Sequence, residues 1–316
     1  MTPTSRYLPL DHLISCLSHM PQLKHLDLTF EFYIPSNDVA RPINPPNVKQ
    51  ISLSNLTGFF FHGDSSYLEA LAARVAVPHI ASLNAGFLNQ PSSTLPRLSG
   101  LLSTAAGLKI RMALINFSST DDPMVIIWMA SSEQTLGRRR IFPPFRMRFP
   151  SSSLYVQVTP TGKICTALTP MLSAVERLYL CFDETRSWSL RSRHIDNARW
   201  YDLFRPFCIV KKLHIDGQLW GLSRVLSPND NGPPLEILPE LRKILRPDGA
   251  RFRDAFDGFI AARRDTGQHI VKRRHVPIRN LDGKGRGEVD EEDGFYTKID
   301  SDSDFDSDSE SYSASH

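Results

Sequence analysis

Long apolar runs are absent from this sequence of 316 residues. The longest apolar segment, Met124–Ala130, is far shorter than the ~18 residues that a membrane-spanning helix requires. Residues 1–10 contain no apolar stretch of signal-peptide length. We therefore expect a protein without membrane association that acts in the cytoplasm, the nucleus or both.

Cysteine is scarce, and the motifs of catalysis and metal binding are missing. The four cysteines lie far apart and form no C-x-x-C pair, which leaves a zinc ribbon or a dithiol redox motif without support. The ten histidines form no H-x-x-x-H pair. Neither G-x-S-x-G nor G-x-G-x-x-G occurs. We expect no enzyme activity, no cofactor and no metal, and we assign no catalytic, cofactor-binding or metal-binding residue.

Charge is distributed unevenly along the chain. Residues 288–310 contain eleven acidic residues and one lysine, a net charge of −10, so that the remainder of this +3 chain carries +13. A basic body can attract nucleic acid, an acidic partner or its own acidic segment. These three alternatives stay open on charge alone.

One pattern recurs along the chain: apolar-x-x-apolar-x-apolar. Its last four residues alternate between apolar and polar, which is typical of a strand. The copies lie at 23–28, 48–53, 80–85, 175–180 and 210–215.

Segments with helical apolar spacing precede several of these copies, at 10–20, 67–77 and 200–207. Similar helix–strand pairs occupy 95–117 and 254–274, whereas 142–159 gives no clear pattern and leaves the repeat count in 105–175 open. A helix–strand unit cannot cover its own apolar face, and stacked units cover each other. The sequence thus predicts an α/β protein, an irregular leucine-rich-repeat-like solenoid (a horseshoe) with a parallel sheet over residues 8–276. Residues 277–316 are predicted to be a flexible linker around Gly283–Gly287 followed by a disordered Ser/Asp-rich tail.

The polar members of the predicted strands define a candidate surface. Strand alternation directs them to the concave face of the sheet, where they can contact a protein target. An ordinary solvated sheet face is the alternative. The candidate residues are His25, Asp27, Gln50, Ser52, Ser82, Asn84, Arg177, Tyr179, Lys212 and His214.

Two further features each indicate an additional hypothesis. Basic residues alternate with phenylalanines between Arg138 and Phe149, with Arg146 and Arg148 among them, a combination that can bind nucleic acid. Ser301, Ser303 and Ser307 each precede an acidic residue by three positions, the pattern that acid-directed kinases of the casein-kinase-two type prefer. We therefore predict phosphorylation there, which would add about −1.5 to −2 charges per site. A solubilising tail and a solvated basic edge are the alternatives.

The order of several segments resembles the leucine-rich-repeat region of F-box-like proteins from mushroom-forming (basidiomycete) fungi. The resemblance spans residues 8–275, and it is carried by the order of the segments rather than by any single motif. The segments are LISCLSHMPQLKHLDL (13–28), YLEALAARVAVPHIASLNAGFLNQ (67–90), LPRLSGLL (95–102), VERLYLCFDE (175–184), WYDLFRPFCIVKKLHIDGQLWGLSRVLS (200–227), LEILPELRKI (235–244) and FDGFIAARRDTGQHIVKRR (256–274).

The resemblance implies a non-catalytic scaffold for protein–protein recognition. In that family an F-box binds a Skp adaptor on a cullin scaffold, and the repeats select the protein to be ubiquitinated. Here the segment 23–28 is already a repeat strand, so we expect the F-box to be absent. The Skp adaptor and the cullin scaffold are then partners only if an F-box lies upstream. We expect a monomer that binds an unidentified protein target; a stand-alone repeat protein without an F-box, acting as decoy or scaffold, is the first alternative, and a nucleic-acid-associated protein is the second.

Overall fold

A computed structural model describes residues 8–30, 50–89, 95–105, 108, 110–118, 124–130, 145–150, 154–183, 197–216, 222, 237–247 and 256–275. Its helices are α1 (Leu10–Ser18), α2 (Ser65–Ala72), α3 (Pro96–Ser103), α4 (Leu154–Ala167), α5 (Thr169–Leu172), α6 (Asn197–Phe204) and α7 (Asp257–Asp265). Its strands are β1 (His25–Thr29), β2 (Ile51–Ser52), β3 (Gly58–Gly63), β4 (Val75–Ala76), β5 (Ser82–Phe87), β6 (Met112–Ser118), β7 (Met124–Ala130), β8 (Phe145–Pro150), β9 (Arg177–Asp183), β10 (Lys212–Asp216), β11 (Lys243–Pro247) and β12 (Val271–His275). The predicted linker and acidic tail lie outside these residues.

Ten of the strands form one sheet, in the order β1-β3-β5-β8-β7-β6-β9-β10-β11-β12. Strand β7 runs antiparallel to both of its neighbours, and every other neighbouring pair is parallel. The prediction of an α/β protein is therefore confirmed, and the predicted parallel sheet is parallel except at β7.

The middle of the sheet departs from a simple succession of parallel strands. After β5 the chain passes through α3 and enters the sheet three positions away, as β6, and then returns through β7 and β8 to pair with β5. Helices α4 and α5 then lead past these strands to β9, which pairs with β6. A three-stranded meander is thus placed in reverse order between two parallel halves.

The hydrophobic core lies between the sheet and the helices. Trp200 of α6 is fully buried, and its ring centroid lies 6.4 Å from that of Phe117 on β6 and 6.3 Å from that of Phe182 on β9. At the other end of the sheet, Tyr67 of α2 stacks on Phe61 of β3, with 6.4 Å between the ring centroids. Neighbouring helices also contact each other, α1 with α2, α2 with α3, α3 with α5 and α4 with α6.

The helix ends follow from local chemistry. The Asp64 side chain caps α2 by accepting a hydrogen bond from the Ser66 N–H at 2.8 Å. Pro96 occupies the first turn of α3, where its missing N–H removes no helical hydrogen bond. Gly267, with a φ of 82°, follows α7 in the left-handed region and ends the helix.

The second predicted repeat strand, at 48–53, is wrong as a member of the main sheet. Only Ile51–Ser52 is a strand, and it pairs with β4 in a separate two-stranded sheet. Its neighbours Leu53 and Leu56 are buried. Ile51 and Leu53 of this copy therefore contact the core without belonging to the main sheet, in which β3 takes the position beside β1. Helix α2 ends at Ala72, before the predicted end at 77, because Val75–Ala76 is extended and forms β4, the partner of β2.

Candidate recognition surface on the open face of the sheet

Helices cover one face of the ten-stranded sheet, and none of the described helices covers the other. In β6 the side chains of Ala113, Ile115 and Phe117 are fully buried toward the helices, whereas the intervening Met112 and Leu114 are partly exposed. The same alternation holds in β7 and β8. The second set of side chains, which points away from the helices, defines what we call the open face.

Strand register aligns the open face into rows that cross the whole sheet. The central row contains one residue from each strand, because each is the register partner of the next. In sheet order it consists, from β1 to β11, of Asp27, Phe60, Asn84, Arg146, Trp128, Leu114, Tyr179, His214 and Leu245, and the backbone register continues it to position 273 on β12. Acidic, amide, aromatic and basic groups alternate along this row, so it offers varied contacts to a partner.

The middle of the open face combines two arginines with an indole. The Arg146 guanidinium lies over the Trp128 ring, 5.3 Å from its centroid, in cation–π geometry. Two residues further along β8, Arg148 approaches Gly86 of β5. A Cβ atom on Gly86 would lie 2.9 Å from the Arg148 Nε atom and 2.8 Å from the His62 Cδ2 atom. The glycine therefore leaves the space that both side chains occupy.

Electrostatics make the arginines the charged groups of this centre. Burial and the nearby Arg148 guanidinium lower the pKa of His62 below its ordinary value of 6.5. His62 is consequently neutral at neutral pH, and Arg146 and Arg148 carry the positive charge there.

Further along the central row, side chains are buried although they belong to the open face. Tyr179 and His214 stack with their ring centroids 4.0 Å apart, and they are 1% and 6% exposed. Leu245, next to His214 in register, is 1% exposed. The accessible part of the central row therefore extends from β1 to β6.

The structure brings six of the ten predicted surface residues to the open face in partly or fully exposed positions: His25, Asp27, Ser82, Asn84, Arg177 and Lys212. Tyr179 and His214 also belong to the open face, but both rings are buried, stacked on each other, and not exposed as expected. The placement of Gln50 and Ser52 is wrong, since both belong to the region of the small β2–β4 sheet. The binding role itself stays a prediction for all ten. Ser301, Ser303 and Ser307 lie outside the described residues.

Sequence reasoning missed the chemistry at the centre of the face. It left β3 and β7 without an assignment and interpreted Arg146 and Arg148 only as part of a basic–aromatic segment. A signal was available, because Phe145, Met147 and Phe149 alternate with the arginines at the period of a strand.

The described residues contain no candidate metal site, and burial keeps two of the described cysteine thiols protonated. No group of three or more His, Cys, Asp or Glu residues there could hold a metal ion. Burial and the neighbouring Asp216 raise the pKa of Cys181 on β9 to about 12, so its thiol stays protonated at neutral pH. Burial also raises the pKa of Cys165 on α4. Among the described helices, none combines the length and the apolar character needed to cross a membrane.

Comparisons with models of protein families, with curated proteins and with solved structures found no match for this chain. The resemblance to the repeat region of F-box-like proteins therefore rests on the quoted segments alone.

Proposed function

We propose that this protein is a non-catalytic scaffold that recognises a protein partner on the open face of its sheet. The observation that carries the proposal is the central row, in which chemically different side chains from neighbouring strands lie side by side on a face that none of the described helices covers. A sheet face of mixed polarity with aromatic and arginine side chains suits a protein interface.

We further propose that the fold is an irregular leucine-rich-repeat-like solenoid. A recurring backbone hydrogen bond supports this interpretation: the first N–H of a parallel strand donates to the carbonyl of the residue just before the strand beside it in the sheet. It occurs in Gly58→Lys24, Ser82→Thr57, Arg177→Arg111, Lys212→Glu176, Lys243→Lys211 and Val271→Arg242. The side chain of Glu176 adds a second link between units, because it contacts Arg111 at 2.7 Å and Lys211 at 3.5 Å.

The ligase role is the more specific form of this proposal. It follows from the resemblance to F-box-like proteins and requires a Skp adaptor in addition to the target. A stand-alone scaffold or decoy would bind the target without the adaptor. Purification of the protein tagged at its native locus, with identification of its N-terminal peptides and partners by mass spectrometry, separates these two forms.

Photo-crosslinking tests the binding surface itself. A photoreactive residue at Asn84, which is partly exposed on the open face, should crosslink a partner protein in the cells that make this chain. The same residue at Lys163, which is exposed on α4, is the matched control on the helical side and should not capture that partner. Capture of the same partner from both positions, or from Lys163 alone, would contradict the proposal.

A further inference from the structure

The arginine pair at the centre of the open face has a defined spacing. Arg146 and Arg148 occupy alternate positions of β8 and point to the same face, while Phe145, Met147 and Phe149 between and beside them are buried. Alternate residues on a strand lie about 6.6 Å apart along its axis. The pair therefore matches an extended segment whose acidic side chains are also two residues apart.

The surroundings of the pair favour carboxylate binding. In register, Arg146 lies between Asn84 and Trp128, and Arg148 lies between Gly86 and Ile126, so none of these four neighbours is acidic. Stacking on Trp128 holds the Arg146 guanidinium in place. Apolar neighbours also strengthen an ion pair by reducing the screening that water provides.

The chain itself contains a segment with the required pattern. From 300 to 310 every second residue is acidic: Asp300, Asp302, Asp304, Asp306, Asp308 and Glu310. When such a segment is extended, all six carboxylates project to the same side. No other part of the sequence has more than three acidic residues at this alternation, the longest being Glu288, Asp290 and Glu292.

Distance and charge allow this segment to reach the arginine pair. The sheet order places six strand spacings between β12 and β8, about 29 Å. Residues 276–299 connect His275 to Asp300, and 24 residues span up to about 80 Å when fully extended. Between β12 and the centre, Lys243, Lys212 and Arg177 are register partners on three adjacent strands and form a basic row on the same face.

We propose that the alternating acidic segment 300–310 binds the open face of its own chain, with two successive carboxylates on Arg146 and Arg148. Bound there, the segment competes with the protein partner for the central row. This inference rests on the proposed function only for its consequence, the competition; the contact itself can be tested separately. The alternation of six carboxylates at strand spacing favours this occupant over a nucleic acid, whose binding is a separate outcome of the test below.

The test uses the full chain with a photoreactive residue in place of Phe305, in the middle of the acidic segment. We expect an intrachain crosslink to peptides of β5, β7 or β8 whose yield does not depend on protein concentration. Arg146→Gln with Arg148→Gln should lower the yield about tenfold or more, since charge-assisted pairs are the strong ones. The control pair Arg205→Gln with Arg264→Gln removes the same charge from exposed positions next to or in helices and should change the yield less than about twofold.

A second comparison tests the spacing and protects against misfolding of the arginine variant. Rearranging residues 300–310 so that the acidic residues stand in adjacent pairs keeps composition and charge but removes the alternation, and the crosslink should fall similarly. Equal yields for the alternating and rearranged segments, equal losses in both arginine pairs, or a crosslink between two chains would overturn the proposal. The proposal would also be overturned if the Phe305 crosslink is absent and oligothymidylate binds the chain with an affinity that falls in the Arg146/Arg148 variant.

The two proposals fail in different ways. If the Phe305 crosslink is absent but the photoreactive residue at Asn84 still captures its partner, this inference is wrong and the proposed function stands. If the Phe305 crosslink forms and no partner is captured at Asn84 even after the acidic segment is neutralised with asparagines, the segment covers the face and the proposed function is wrong.

Discussion

Two tryptophans show how the role of a side chain differs between the core and the open face. Trp200 is fully buried among Phe117, Phe182 and Phe204, and its indole N–H has no hydrogen-bond partner among the described residues. Its contribution is therefore aromatic packing, not hydrogen bonding. Trp128, by contrast, is partly exposed on the open face and supports an arginine.

Substitutions of Trp200 should separate packing from hydrogen bonding. Trp200→Ala removes a buried ring and should lower the free energy of unfolding by about 3–5 kcal/mol. Trp200→Phe keeps an aromatic ring and removes a buried donor whose missing partner costs about 1–3 kcal/mol, so we expect a loss below about 2 kcal/mol. Urea unfolding followed by circular dichroism measures both. Equal losses in the two variants would show that the indole N–H has a partner after all.

His62 should give the stability a pH dependence that can be traced to one side chain. Its pKa is lowered in the folded chain, mainly by burial and then by Arg148. Below pH 6.5 the unfolded chain therefore binds more protons than the folded one, and the free energy of unfolding decreases as the pH falls from 6.5 through the lowered pKa.

The variant His62→Gln removes this titration. Urea unfolding at a series of pH values should show a shallower decrease below pH 6.5 for His62→Gln than for the unchanged chain. Arg148→Gln should retain most of the decrease, because burial is the larger cause. Parallel curves for the unchanged chain and His62→Gln would exclude His62 as the source.

At the scale of elements, one carboxylate links two neighbouring helices, α2 and α3. Glu69 of α2 accepts hydrogen bonds from the backbone N–H groups of Leu98 at 2.8 Å and Arg97 at 3.0 Å, and so caps the start of α3. Burial raises the pKa of Glu69, while these N–H groups and Arg97 act in the opposite direction. Because Pro96 has no N–H to offer, the cap falls on the next two residues.

Removal of this cap should destabilise the protein measurably. We expect Glu69→Ala to lower the free energy of unfolding by about 1–2 kcal/mol, since two N–H groups and a favourable charge at a helix N-terminus lose their partner. Glu240→Ala is the matched control, because Glu240 contacts only the exposed Arg242 at 3.7 Å in the described part of the chain, and it should cost less than about 0.5 kcal/mol. Thermal melts of the two variants give the comparison. A loss for Glu240→Ala as large as that for Glu69→Ala would argue against the cap.

Several elements could be predicted from the sequence because local pattern and final position agree. The copies at 23–28, 80–85, 175–180 and 210–215 became β1, β5, β9 and β10, and their alternation gave the correct face. The copy at 48–53 did not, because the same alternation also suits a short strand of the small sheet.

The missed elements have a common physical reason. In β3 and β7 both faces carry apolar side chains, as in Phe59–Phe60–Phe61 and Ile126–Ile127–Trp128, so the alternation that marks a strand is hidden. Their place beside β5 and β6 is a matter of long-range pairing. The reversed order of the meander is likewise set by tertiary contacts and leaves no local signal.

At the scale of the whole molecule, the sheet order predicts where the structure opens most easily. Strands β1 and β12 stand at the two ends of the described sheet and pair on one side only, whereas β6 and β9 pair on both sides and contact the buried Trp200 region. Amide hydrogen exchange followed by mass spectrometry should therefore be slowest in β6 and β9 and fastest in β1 and β12. Equal protection across the sheet would show that the ends are covered by other segments.

The reversed meander has a consequence for how this molecule can change over generations. Trp128, Arg146 and Arg148 all belong to β7 and β8, one contiguous stretch from 124 to 150, whereas the parallel strands on either side supply the frame. Exchange of that stretch for another of the same length and alternation would alter what the face attracts and leave the flanking strands paired as before. The residues that give the open face its distinctive chemistry therefore lie in one short segment of the sequence, which a single recombination event could replace.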